Sequence, residues 1–287
     1  MLAKAATLPA DQVFLDLEDS VAPLEKEAAR ANVVEALRTQ DWGGKVRVVR
    51  VNATDTRFFY RDVVEVVEAA GDVMDCVMLP KVQTPGDVYM LSTLLTQIEM
   101  NQGFEIGRIG IEAQIEDAQG LINVEQIACA SERIETIIFG PGDYAAAIGI
   151  PQLTVGALMP DYPGDHFHYV LSKIVVAARA RGVQAIDGPY AQIRDAEGFR
   201  EVARRSRMLG FDGKWSLHPG QVEILNEVYA PSEEEYRRAE DILDAYRVAT
   251  EEDRRGAVMF GDEMIDEASR KMAEQVALAG RAVGYTR

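Results

Sequence analysis

Acidic side chains recur where short apolar runs stop. Asp16, Glu18 and Asp19 close the run QVFLDLED, Glu116 and Asp117 close IGIEAQIED, Asp143 follows IIFG, and Asp187 sits in AIDGPY. Carboxylates that converge on one place repel each other, and are protonated or destabilising unless a cation joins them. A hard divalent ion meets that need. Magnesium takes one or two carboxylates with several waters and a substrate oxygen, which suits this set. Arg50 ends the run KVRVVR, where strand alternation points it away from Val49 and Val51. Its planar fork can hold a carboxylate or carbonyl oxygen through paired donors, which a lysine does less well.

Each of these residues also has a plainer role open to it. Glu18 or Asp19 can cap the helix that follows, and for this pair capping and metal-shell roles weigh equally. Asp143 precedes the helix-like YAAAIG and is an N-cap candidate, although the Gly140-Pro141-Gly142 turn before it suits close approach of a ligand. Glu116 follows Ile115 at a strand end, where capping explains least, so a ligand role is favoured. Arg50 can form a structural ion pair with one of the acids. Lys26 and Arg30 can meet a phosphate or form a solvated face, and the solvated face is the expectation. His218 in LHPGQ is a base or a structural hydrogen-bonder, and His166 and His168 carry no metal-ligand pattern. No Walker loop, GxGxxG fingerprint, nucleophile elbow or CxxC pair occurs.

The elements that must position these residues alternate along the chain. Strands are predicted over residues 12–19, 45–53, 76–82, 109–117, 134–140, 184–191 and 214–219. Helices with apolar residues three and four apart are predicted over 24–40, 58–70, 88–100, 167–181 and 198–209. Repeated βα units of this kind build a parallel barrel whose active site lies at the C-terminal strand ends. The fold expected is a (β/α)8 TIM barrel. Seven strands are one short, an open barrel exposes two strand edges, and the helix-like opening from Met1 to Ala6 calls for a strand ahead of it. Residues 150–165 read as a long loop. Residues 231–255 read as a charged helix, and 256–287 as a turn or short strand and a further helix. The expected organisation is a barrel domain over 1–230 and a C-terminal helical extension over 231–287.

Of 287 residues, 47 are acidic and 30 basic, a formal charge of −17. That charge repels nucleic-acid phosphates and anionic headgroups, so neither is an expected partner. Cys76 and Cys129 are too few for a disulfide framework, which points to a reducing, cytoplasmic setting. No apolar run reaches the roughly 20 residues of a membrane span.

These stretches resemble the HpcH/HpaI aldolase and citrate lyase β-subunit family. The matching segments are FLDLEDSVAPLEKEAAR (14–30), RVN (50–52), LPKV (79–82), IEDAQGL (115–121), FGPGD (139–143), AIDGPY (185–190), GFDGKWSLHPGQ (210–221) and MIDE (264–267). They run in order over almost the whole chain. AIDGPY, GFDGKW and the long tail look more like the malyl-CoA and β-methylmalyl-CoA lyases than the citrate lyase β subunit. The resemblance implies Glu116 and Asp143 as magnesium ligands, with Mn2+ as a substitute ion. It implies that Gly142 lies at the substrate, that Arg50 holds a glyoxylate-like α-keto acid, and that Asp19 is an acid holding a water on the metal. It implies that Asp266 reaches a neighbouring subunit's active site as an acid/base, hence a homo-oligomer, trimeric or hexameric. The reaction implied is cleavage or formation of a β-hydroxyacyl-CoA thioester. Rival readings are a malyl-CoA thioesterase, a citramalyl-CoA or citryl-CoA lyase, and a non-catalytic thioester-binding subunit.

Overall fold

The computed structural model describes residues 2–251 and 254–287. Met1 of the expected opening helix, and Glu252 and Asp253 of the expected 231–255 helix, lie outside the described residues. The chain divides into a unit over Met1–Leu225 and a second over Asn226–Arg287.

In the first unit a short helix, α1 (Leu2–Ala6), precedes seven strands: β1 (Gln12–Asp16), β2 (Val46–Arg50), β3 (Cys76–Leu79), β4 (Gly110–Ile115), β5 (Ile134–Phe139), β6 (Gln184–Asp187) and β7 (Gly213–Lys214). Every neighbouring pair is parallel, in sequence order from β1 to β7. The crossovers are α2 (Lys26–Thr39), α3 (Phe59–Ala70), α4 (Pro85–Gln102), α5 (Ala118–Ala128), α6 (Pro141–Ile148) with α7 (His168–Arg181), and α8 (Ala196–Leu209), and α9 (Pro219–Tyr229) follows β7. The mixed α/β architecture is that of a (β/α)8-type barrel with seven strands present.

The sheet is rolled. Phe14 of β1 and Trp215, next after β7, stand at opposite ends of the strand order, yet their ring centroids are 4.5 Å apart. Gln12 of β1 likewise reaches across the interior to donate to Glu112 Oε2 on β4 at 3.2 Å. Residues two apart on a strand share a face, and the interior face carries Val48, Cys76, Met78, Ile138 and Trp215, with Phe14 and Ile186 packed against them. Glu112 is in register with Met78 and Thr136, and Gln114 with Ile138. The polar face of β4 therefore points inward, and Glu116, next on that face, stands at the C-terminal mouth.

All seven expected strands are present, but each ends earlier than the apolar run. Leu17 and Val51, expected within strands, are buried loop residues beyond β1 and β2. Helices α5 and α9 were not expected. Residues 150–165 contain no helix or strand, as anticipated.

The second unit contains α10 (Glu233–Glu251), an antiparallel hairpin of β8 (Val258–Phe260) and β9 (Glu263–Ile265), and α11 (Glu267–Ala282). Its own core joins Tyr236 and Ala239 of α10 to Ala273 and Ala277 of α11. Arg281 closes the pair with bonds to Glu240 Oε1 at 3.0 and 2.6 Å.

Candidate active site

The loop after β1 carries three of the acids and is held from below by buried cations. Lys26 donates to the carbonyls of Leu17 and Glu18 at 2.8 and 2.9 Å, and Asn52 donates to that of Leu17 at 2.9 Å. Asp62, fully buried, accepts from Asn52 and from Arg30 Nε, the latter at 2.7 Å. The expectation of a solvated Lys26 and Arg30 is corrected here. Both are buried because each meets a partner that folding, not sequence proximity, supplies.

Arg50 faces Asp16 through two contacts, Nε to Oδ1 at 2.7 Å and Nη2 to Oδ2 at 2.6 Å. Its Nη1 is 3.1 Å from Glu18 Oε2, and its guanidinium lies over the rings of Phe14 and Trp215. Burial alone would raise the Asp16 carboxyl, but the bonds and charge of Arg50 outweigh it and hold the carboxyl below its ordinary value. The structural ion pair is therefore real. These three contacts leave one N–H on each of Nη1 and Nη2 for a further oxygen.

Glu116 is buried at the end of β4, where its Oε1 accepts from the Lys81 amide at 2.9 Å. Burial pushes its carboxyl up to about 8; the Lys81 amide opposes the rise, and the charges of Asp143 and Glu18 add to it. Gly140 makes room for this side chain: a Cβ there would stand 2.5 Å from Glu116 Cγ and 2.6 Å from its Oε2. The carboxyl is thus wedged against backbone.

Asp143 lies in the first turn of α6, where the N-cap position belongs to Gly140, so the N-cap role open to Asp143 is not the one it takes. Its Oδ1 is instead 3.9 Å from Lys81 Nζ. Val155, from the 150–165 segment, packs on Gly142 at 3.2 Å from where a Cβ would be. Asp19 is mostly exposed and meets Lys81 Nζ at 3.3 Å. Asp117 caps α5, accepting from Gly120 N at 2.7 Å. Asp187 is occupied by Lys214, Nζ to Oδ2 at 2.5 Å, with both side chains buried. In the second unit Asp266 caps α11, its Oδ1 accepting from Ala268 N at 2.9 Å and Ser269 N at 3.1 Å.

Among the described residues no group of three His, Cys, Asp or Glu side chains is arranged to hold a metal. Magnesium does not need three, since one or two carboxylates with water and substrate oxygens suffice. Glu116 and Asp143 both stand against Lys81, one at its amide (2.9 Å) and the other near its ammonium (3.9 Å), and this all-oxygen pair fits a hard dication.

A profile described as HpcH/HpaI aldolase/citrate lyase matches residues 1–219. The chain belongs to this family. It is 41% identical over 285 residues to an L-malyl-CoA/beta-methylmalyl-CoA lyase of Cereibacter sphaeroides, spanning 96% of this chain and 89% of that one. A crystal structure of protein CitE from Mycobacterium tuberculosis, in complex with magnesium, acetoacetate and coenzyme A, superposes with a TM-score of 0.76 at 31% identity, covering 97% of this chain and 91% of that one. A citrate lyase of Burkholderia xenovorans LB400 superposes with a TM-score of 0.83, covering 96% and 85%, and at 22% identity shows the barrel fold alone. As a member of the HpcH/HpaI aldolase/citrate lyase family, the chain is a carbon–carbon lyase.

The residue that sequence reasoning passed over is Lys81. Its signal was available, since LPKV puts a cation directly after the third strand, at the same mouth as the acids. Lys214 was passed over in the same way, in GFDGKW.

Proposed function

We propose that this lyase cleaves, or in reverse forms, a β-hydroxyacyl-CoA such as L-malyl-CoA or β-methylmalyl-CoA, giving glyoxylate and acetyl-CoA or propionyl-CoA. The observation that carries this reading is the meeting of Glu116, Asp143 and the partly committed Arg50 fork at one barrel mouth. Similarity to the Cereibacter sphaeroides enzyme and to the CitE complex supports the substrate class.

Glu116 and Asp143 would hold the ion, magnesium with manganese as a substitute. Bound there, it would supply Lewis-acid stabilisation of negative charge on the substrate oxygens. The remaining N–H groups of Arg50 hold the keto-acid carboxylate, and Asp16 and Glu18 keep the guanidinium in place. Asp19 sits at the open side, where it can hold a water. In cleavage the β-hydroxyl gives its proton to water, its oxygen's electron pair becomes the carbonyl bond of glyoxylate, the carbon–carbon electron pair moves into the thioester as an enolate, and the enolate takes a proton on carbon. Asp266 of a second copy is the acid/base for that last step, in a trimer or hexamer to which residues 231–287 contribute.

The test is an assay of malyl-, methylmalyl-, citramalyl- and citryl-CoA with and without EDTA. Glyoxylate with acetyl-CoA or propionyl-CoA should appear from the first two, vanish with EDTA and return with Mg2+. Free malate and CoA without glyoxylate would establish a thioesterase instead, and turnover of only citryl-CoA a citrate lyase.

A further inference from the structure

Lys81 touches four of the acids at the mouth. Its amide donates to Glu116 at 2.9 Å, its ammonium bonds to Glu18, and the same ammonium stands 3.3 Å from Asp19 and 3.9 Å from Asp143. Glu18 is in turn clasped from the other side by Arg50 at 3.1 Å. The contact geometry depends on an uncommon backbone. Lys81 has φ 52°, in the left-handed region, and among the described residues only one other non-glycine, Arg254, shares a positive φ. From that conformation the amide and the side chain of one residue serve carboxylates from different strands. Strained conformations of this kind persist where the surroundings fix them, and they gather at functional sites.

Resting on the reading that Glu116 and Asp143 hold a divalent ion, we infer that the Lys81 ammonium is the built-in counter-cation of this mouth, holding the carboxylates together without metal and setting the ion's affinity by competing for them. Three carboxylates, Glu18, Asp19 and Asp143, face this one ammonium, and Glu116 meets the amide of the same residue. An incoming dication meets a site already partly neutralised, and its binding is weakened accordingly. The role is one of positioning, because Lys81 acts through the acids.

A purely structural lysine and a counter-cation differ in the sign of one effect. Lys81→Asn removes the ammonium, and asparagine tolerates the left-handed backbone. Isothermal titration of the full chain with Mg2+ should show binding about tenfold tighter than wild type, a modest change because Lys81, Asp19 and Asp143 are partly screened by solvent. The thermal midpoint of the metal-free variant should fall below wild type, and saturating Mg2+ should close most of the gap. Lys81→Arg, which keeps the charge, should bind Mg2+ within about twofold of wild type. Unchanged or weaker Mg2+ binding by folded Lys81→Asn overturns the inference. Should that variant fail to fold, Lys81→Gln is titrated with the same two outcomes deciding. Wild-type protein that takes up no Mg2+ overturns the metal reading and this inference with it, whereas wild-type binding that the substitutions leave unaltered overturns only the role of Lys81.

Discussion

Arg50 and Asp16 meet edge to edge, with Nε and Nη2 of one bonded to the two carboxylate oxygens of the other at 2.7 and 2.6 Å. Both side chains are close to nine-tenths buried, so the pair fixes the direction in which the remaining guanidinium donors point. A lysine keeps the charge but cannot reproduce that fork. Arg50→Lys should therefore raise the KM for glyoxylate in the condensation direction by at least about tenfold, the equivalent of about 1.4 kcal/mol, while KM for the CoA thioester changes little. Steady-state kinetics with each substrate varied in turn check this, and equal changes in both constants would show a general loss of structure.

Gly140 leaves space that Glu116 fills. Gly140→Ala places a methyl group where Glu116 Cγ and Oε2 now stand, and a crowded core site of this kind costs about 1–3 kcal/mol. The carboxyl can escape only by moving away from the ion position. Activity should fall by more than about a hundredfold in protein that still unfolds cooperatively, and Mg2+ affinity should fall with it. A stability loss with undiminished kcat would show that Glu116 tolerates displacement.

Glu112 sets a pH dependence of stability that is separate from the mouth. Burial pushes its carboxyl up to about 7, against the bonds from Gln12 and Thr136 that favour ionisation. The folded value exceeds the unfolded one, so the folded protein binds the proton more tightly. This contribution is complete below about pH 4.5 and is lost as pH rises through about 7. Glu112→Gln should flatten the decline between those limits. Urea unfolding of both proteins at pH 5, 6, 7 and 8 checks it, and parallel curves would mean that Glu112 is charged when folded.

Asp266 makes its cap through one oxygen, Oδ1, at 2.9 and 3.1 Å. Removing a cap costs about 0.5–2 kcal/mol, so Asp266→Ala should remain folded. If Asp266 also serves a second copy, Asp266→Ala and Glu116→Ala should each be inactive alone and regain part of the activity when mixed under subunit exchange. Mass spectrometry shows whether exchange has occurred, and exchanged but inactive mixtures would leave Asp266 as a cap.

The strands were legible because β-branched runs alternate with amphipathic ones, and a parallel barrel follows from that alternation. Their ends were not. Leu17 and Val51 are as buried as the strand residues before them, so hydrophobicity continues into the mouth after the ladder has stopped. Helix α5 follows directly on the mouth acids, and α9 begins at Pro219-Gly220, a pair that reads as a turn until the tertiary fold supplies a helix. The acids at the mouth could be placed because strand ends in this fold share one face. Arg30 was misjudged because its partner Asp62 lies 32 positions further on, and Lys26 because its partners are the backbone carbonyls of Leu17 and Glu18, which only the folded loop turns toward it. The place of Lys81 at the mouth was legible in LPKV, but its left-handed backbone, which no glycine announces, was not.

The stacking of Phe14 on Trp215 bears on how the chain reaches its folded form. These rings are about 200 positions apart in sequence, whereas each strand pairs with the next after one crossover. Closing so long a loop is entropically costly and becomes favourable only when the intervening units are ordered. During synthesis the sheet can thus grow pair by pair from β1, but Phe14 and the aromatic side of Arg50 wait for Trp215 to leave the ribosome. Until then the apolar interior remains open along one side, which makes the nascent chain prone to aggregation late in its production.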